Sequence, residues 1–188
     1  MEGNMEFSRN KKEMYEEVVL QLKGLFEDCP YVIANLANAS AVLNQAMKEI
    51  NWVGFYLLEN RGNTGDFQKE LKKDGEQIPV ERKCEPILVL GPFQGKPACV
   101  EIRIGRGVCG TAVEKDEIMM VEDVHAFPGH IACDAASQSE IVLPIHTGGR
   151  IVGVLDIDSP VIARFDEEDK DGLEAVVKVI EEMLAKVF

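Results

Sequence analysis

The hydrophobic positions change period along the chain, dividing it into helical ends and a strand-rich middle. Near the N-terminus, Tyr15, Val18, Val19, Leu22, Leu25 and Phe26 recur at spacings of three and four, the stripe of an amphipathic helix. Asp28 and Pro30 interrupt it. Pro30 suits the first turn of a second helix, with Asp28 or Cys29 near its cap, running towards Met47. At Asn51 the period becomes two. Trp52, Gly54 and Tyr56 fall on one face, and Val53, Phe55 and Leu57 on the other, in bulky sequence that favours a strand. Residues 86–91, 98–104, 118–121, 141–145 and 151–158 read as further strands. Thr147-Gly148-Gly149 joins the last two as a hairpin. Gly105, Gly107 and Gly110 open a short helix over 108–113, and 123–134 reads as a long loop with a helical turn. Asp166 caps a last helix whose buried stripe is Leu173, Val176, Val177, Ile180, Met183 and Leu184. Strands between helical ends predict an α+β fold, with helices packed on an antiparallel sheet.

Composition narrows the class. The chain has 188 residues, 46% of them hydrophobic, enough for one domain with a real core. The expected organisation is a single domain over 1–188, with a helical extension at about 1–30 and an inserted polar loop at about 60–85. Lys and Arg total 20 against 33 Asp and Glu, a formal net charge of -13. Such a surface repels phosphate backbones and anionic lipid, so neither nucleic acid nor membrane is an expected partner. The N-terminus carries no basic and apolar leader pattern, and the apolar runs are far shorter than a membrane span. These features predict a cytoplasmic, reducing location, where the five cysteines serve as thiols, metal ligands or catalytic groups and not as structural bridges.

Three cysteines share the loop-rich middle: Cys99, Cys109 and Cys133. Cys109 sits in Gly105-Arg106-Gly107-Val108-Cys109-Gly110-Thr111, near a helix start, where backbone amides favour a thiolate. Cys133 lies in Pro128-Gly129-His130-Ile131-Ala132-Cys133-Asp134. A zinc site from His125, His130 and Cys133 with Cys99 or Cys109 is a competing explanation, disfavoured because close Cys-x-x-Cys ligand pairs are missing. Glu140 precedes an apolar strand. Asp156 and Asp158 end another, two residues apart and so on one face. Such a pair is either a solvated strand end or a cavity pair in which repulsion raises one pKa.

These segments, with Asn51-Trp52-Val53-Gly54-Phe55-Tyr56, Leu90-Gly91-Pro92-Phe93-Gln94-Gly95, Ser139-Glu140-Ile141-Val142-Leu143-Pro144 and Gly153-Val154-Leu155-Asp156-Ile157-Asp158, resemble the free methionine-(R)-sulfoxide reductases, single-domain GAF proteins. The resemblance runs from about Val32 to the last helix. It implies a GAF-like fold: a central antiparallel sheet, N- and C-terminal helices on one face and a ligand cavity on the other. It implies a nucleophile at Cys133, a resolving thiol at Cys99 with Cys109 as the alternative, carboxylates at Glu140, Asp156 and Asp158, and an aromatic wall at Trp52 and Tyr56. It implies free methionine-(R)-sulfoxide as substrate and a thioredoxin-type dithiol as reductant, with no metal, flavin or nicotinamide cofactor. The insertion near 60–85 is longer than the resemblance leads one to expect. It could shield the pocket, support a homodimer or be mobile, and Cys84 takes no role. The rivals are a GAF module that only binds a small molecule, and a thiol redox sensor without sulfoxide turnover.

Overall fold

The computed structural model describes residues 7, 8, 10–60, 86–129 and 136–187. Cys84, His130, Cys133 and most of the 60–85 insertion lie outside the described residues. The first helix, α1, is Lys11–Phe26. Its cap is Asn10, whose side chain accepts from the Glu13 amide, and it buries Met14, Tyr15, Val18, Leu22 and Phe26. The second, α2, is Val32–Ala46. It starts later than the sequence suggests. Its cap is Tyr31, with no side-chain cap bond, and Pro30 stands just outside the helix. The proline fits either arrangement, since it is tolerated in a first turn and equally in the extended segment before a cap.

Six strands follow: β1 (Trp52–Asn60), β2 (Pro86–Gly95), β3 (Glu101–Arg103), β4 (Met119–Val121), β5 (Ser139–Thr147) and β6 (Arg150–Ser159). They form one antiparallel sheet in the order β3-β2-β1-β6-β5-β4. The second strand outruns its predicted end at Gly91, and the third is only three residues long instead of spanning 98–104. Between them Pro97 has no N–H for a ladder, and Gly95 has φ 135, so the chain leaves the sheet there. The β5–β6 connection is the predicted hairpin, with Gly148 and Gly149 at φ 57 and 74, both in the left-handed region a tight primed turn requires. A short helix, α3 (Gly107–Lys115), crosses one face of the sheet. The last helix, α4 (Glu167–Leu184), is capped by Asp166 as expected, in a reciprocal box with Asp169.

The period of two in the strands separates two cores. Val53, Phe55, Ile141, Leu143, Ile145, Leu155 and Ile157 pack against α1, α2 and α4. On the opposite face Trp52, Tyr56, Val142 and Val154 pack with Val108, Cys109 and Ala112 of α3. The result is the expected α+β arrangement, with terminal helices on one face and a cavity on the other.

Candidate functional site

The pairing register of three central strands builds the floor of the site. Asp158 of β6 lies opposite both Trp52 of β1 and Glu140 of β5, and Asp156 lies opposite Gly54 and Val142. Opposed residues in an antiparallel pair share a face. Trp52, Asp158 and Glu140 therefore form one row across the sheet, with Asp156 in the next. Glu140 reaches that row because of a register shift between Ile145 and His146. The turn pairs Thr147 with Arg150 and His146 with Ile151. Beyond the shift every partner moves by one, from Ile145–Gly153 to Glu140–Asp158. Without it Glu140 would face Ile157 and the helical core.

The aromatic side is set by β1. Trp52 stacks on Tyr56 at 5.9 Å between ring centroids and on Phe93 of β2 at 5.4 Å. Gly54 lies between the two β1 aromatics; a Cβ there would run into Phe93 and come within 2.7 Å of the Trp52 ring, so the stack needs glycine. Both polar tips are satisfied by backbone. The indole N–H of Trp52 donates to the Lys96 carbonyl at 3.1 Å, and the Tyr56 hydroxyl donates to the Cys99 carbonyl at 3.0 Å.

Helix α3 closes the other side with Cys109. Its Sγ stands 3.9 Å from Glu140 Oε1, and donor atoms of Cys109, Glu140 and Asp156 lie within 4.8 Å of one another. All three are buried. Burial, with Asp156 and Asp158 nearby, pushes the Glu140 carboxyl well up. Burial lifts Asp156 to about 6, while bonds from Cys109 and Glu140 oppose the rise. The Cys109 thiol is pushed well up by burial and by the Asp156 and Glu140 charges. This reverses the sequence argument for Cys109. It does lie in the first turn of α3, but a helix start contributes about half a charge while burial beside acids opposes the thiolate more strongly. Among the described residues, no group bonds Asp156 Oδ1, a buried oxygen. The space among these residues is about 40 Å³, room for a few waters.

The structure thus brings together Trp52, Tyr56, Cys109, Glu140, Asp156 and Asp158 around one cavity. Cys99 is half-buried, adjoins the lining residue Ala98, and is disulfide-bonded, whereas Cys29 and Cys109 are free thiols. Cys133 lies outside the described residues, and so does His130 of the alternative zinc set. Cys99 in a disulfide is not available to zinc. Cys109, Glu140 and Asp156 could offer ligand atoms to a cation if deprotonated, but burial opposes deprotonation of Cys109 and Glu140. Sequence reasoning missed several residues in and behind the lining. Phe93 backs Trp52, Val108 packs from α3, and Ser137 faces the cavity while accepting from Asn51 Nδ2 at 3.0 Å. Phe93 stood in a quoted motif, but nothing in the sequence aims it at Trp52. Its neighbour is fixed by the β1–β2 shift after Gly54.

Comparison with known proteins adds a family. The GAF domain model matches residues 33–184. The chain is 51% identical to Protein YtsP of Bacillus subtilis, over 95% of this chain and 96% of that protein. It is 47% identical to the free methionine-R-sulfoxide reductase of Escherichia coli, over 94% of this chain and 92% of that one. Among solved structures, fRMsr of Staphylococcus aureus in complex with substrate superposes with a TM-score of 0.74 at 49% identity, covering 91% and 95% of the two chains.

Proposed function

The chain belongs to the GAF-domain family and, within it, to the free methionine-(R)-sulfoxide reductases, and on that premise we propose that it reduces free L-methionine-(R)-sulfoxide to methionine. The observation that carries the reading is the buried cluster of Glu140, Asp156 and Cys109 beneath the Trp52–Tyr56 wall, without a cation among the described residues and with Glu140 and Cys109 biased by burial towards their protonated forms. Sulfoxide reduction needs a thiolate aimed at sulfur and a proton for the departing oxygen. The Cys133 thiolate attacks sulfur, the S–O oxygen passes to the cysteine, and methionine leaves with a sulfenic acid formed on Cys133. A carboxyl that burial keeps neutral, Glu140, with Asp158 in the same row, donates to that oxygen as its charge grows. The Asp156 oxygen without a partner suits the ammonium of a free amino acid, and Trp52 packs on the methylsulfinyl end. Cys99 then condenses with the sulfenic acid to a disulfide and water, and a thioredoxin-type dithiol restores both thiols. Two features support Cys99 over Cys109 as the resolving thiol: Cys99 is disulfide-bonded, and Cys109 is held protonated. The proposed location is the cytoplasm, where such a reductant is at hand. Among the described residues no helix is long and apolar enough to cross a membrane.

The test is methionine formed from each sulfoxide diastereomer with dithiothreitol as reductant. The R form should turn over, while the S form and a peptide-bound sulfoxide should hardly react. Equal rates on free and peptide-bound sulfoxide would rule out an enclosed pocket built for a free amino acid. In a single turnover Cys133→Ser should release no methionine. Cys99→Ser should release one equivalent and then hold a sulfenic acid, detectable with a dimedone-type probe. A full burst in Cys133→Ser would move the nucleophile elsewhere.

A further inference from the structure

We infer that Trp52 and Tyr56 are positioning residues for the Cys99 segment as well as walls of the pocket. The inference rests on the reading of Cys99 as resolving thiol. Both aromatics point from the same face of β1, two residues apart. One donates to the Lys96 carbonyl and the other to the Cys99 carbonyl, at 3.1 and 3.0 Å. The span they hold lies between the end of β2 at Gly95 and the start of β3 at Glu101, so sheet ladders do not fix it. At its far end the Leu90 amide donates to the Val100 carbonyl at 2.9 Å. The two donors are only 3% and 1% exposed as residues, so water does not readily replace these bonds. Burial also holds the Tyr56 phenol in its protonated, donating form.

The consequence concerns the second half of the cycle. Once Cys133 carries a sulfenic acid, the Cys99 thiol must bring its sulfur to the sulfenic sulfur. The S–S bond forms, the S–O bond breaks, and the hydroxyl leaves with the thiol proton as water, so no further oxidant is needed. A one-ångström displacement of a reacting group costs much rate. In the disulfide-bonded state the Tyr56 hydroxyl holds the backbone of the residue whose sulfur has closed the bond, the geometry the attacking thiol has to reach. The two aromatics that enclose the sulfoxide therefore also present the thiol that finishes the turnover.

The discriminating variant is Tyr56→Phe, which keeps the ring and deletes the donor. Rapid-quench kinetics on the reduced protein would follow methionine release and the later loss of thiols separately. Disulfide closure should slow about three- to tenfold, the worth of one shielded hydrogen bond, and by clearly more than methionine release. Trp52→Phe, which removes the indole N–H at the other end of the span, should show the same bias towards the closing step. It serves if Tyr56→Phe does not fold. Wild-type closure in both variants, or equal slowing of both steps, would overturn the inference and confine the aromatics to the pocket wall. Cys99→Ser separates this from the underlying reading. If it closes a disulfide at the wild-type rate, Cys99 is not the resolving thiol and the reading itself fails.

Discussion

Two groups of buried acids sit on opposite faces of the sheet, and their surroundings differ. On the helical face Asp169 of α4 is fully buried, yet it meets Lys11 Nζ at 2.6 Å, Arg164 at 3.0 Å and the Tyr15 hydroxyl at 2.9 Å. Its charge is answered by two cations and a phenol, and it ties α1 to the start of α4. On the cavity face Glu140 and Asp156 are each 6% exposed and meet each other and the Cys109 thiol. Among the described residues no Lys or Arg pairs with either. A buried acid with cations is a clamp that holds helices together. A buried acid without them has its pKa raised, at a cost to stability, and the proton burial holds at Glu140 is available to chemistry.

The largest expected effect comes from removing the proton without changing the shape. Glu140→Gln should cut single-turnover methionine release by about 10²- to 10⁴-fold, the usual worth of a positioned general acid. The melting temperature should stay level, because the amide replaces a carboxyl that burial already keeps neutral. The loss should fall on the chemical step, since the hydrogen bond strengthens as the oxygen gains charge. A normal burst would make Glu140 a buried spectator and send the search for the acid to Asp158.

The clamp should respond in the opposite way. Asp169→Asn leaves Lys11 and Arg164 facing a neutral group and weakens the reciprocal cap with Asp166. Loss of one partner from a buried ion pair costs about 3–5 kcal/mol. Lys11 and Arg164 keep some solvent contact, so the lower end is expected, read as a shift of the denaturation midpoint. Methionine release per folded molecule should hold, because the clamp lies across the sheet from the cavity. Lost activity with unchanged stability would erase the distinction between the two groups.

How far this contrast was legible in the sequence differs between the two faces. The helical stripes, the Asp166 cap and the Gly148-Gly149 hairpin follow from local spacing, and the structure has them. Asp156 and Asp158 share a face by simple alternation. Glu140 joins them only through the register shift near His146. A plain two-residue hairpin counted from the turn sets it opposite Ile157, on the wrong face. The resemblance to known reductases supplied what spacing could not. Cys109 shows the reverse limit. Its place near a helix start was visible, but the acids packed around it come from distant strands, and they decide its protonation. The α2 start was missed because Pro30 suits either side of a helix boundary.

The smallest expected effect is a pH dependence that separates the two groups without touching catalysis. Asp156 has its carboxyl raised from 3.8 to about 6 in the folded protein, mainly by burial. Between those values the folded chain holds a proton that the unfolded chain has lost. Stability from this group is therefore fully present below about pH 4, falls as pH rises, and is gone above about 6. The clamp runs the other way. The Asp166 carboxyl is lowered, chiefly by its bond to Lys11, so its contribution is present above the ordinary carboxylate pKa and lost as pH falls. Unfolding by urea at a series of pH values should show both slopes. Asp156→Asn should take its share, roughly 1 to 3 kcal/mol, out of the decline between about pH 4 and 6, leaving the part that Glu140 contributes. Lys11→Met should instead flatten the acid limb by a smaller amount, since Asp166 is largely exposed and solvent screens the pair. An unchanged decline in Asp156→Asn would mean that Asp156 is ionised in the fold, and that the proton shared beneath Trp52 belongs to Glu140 alone.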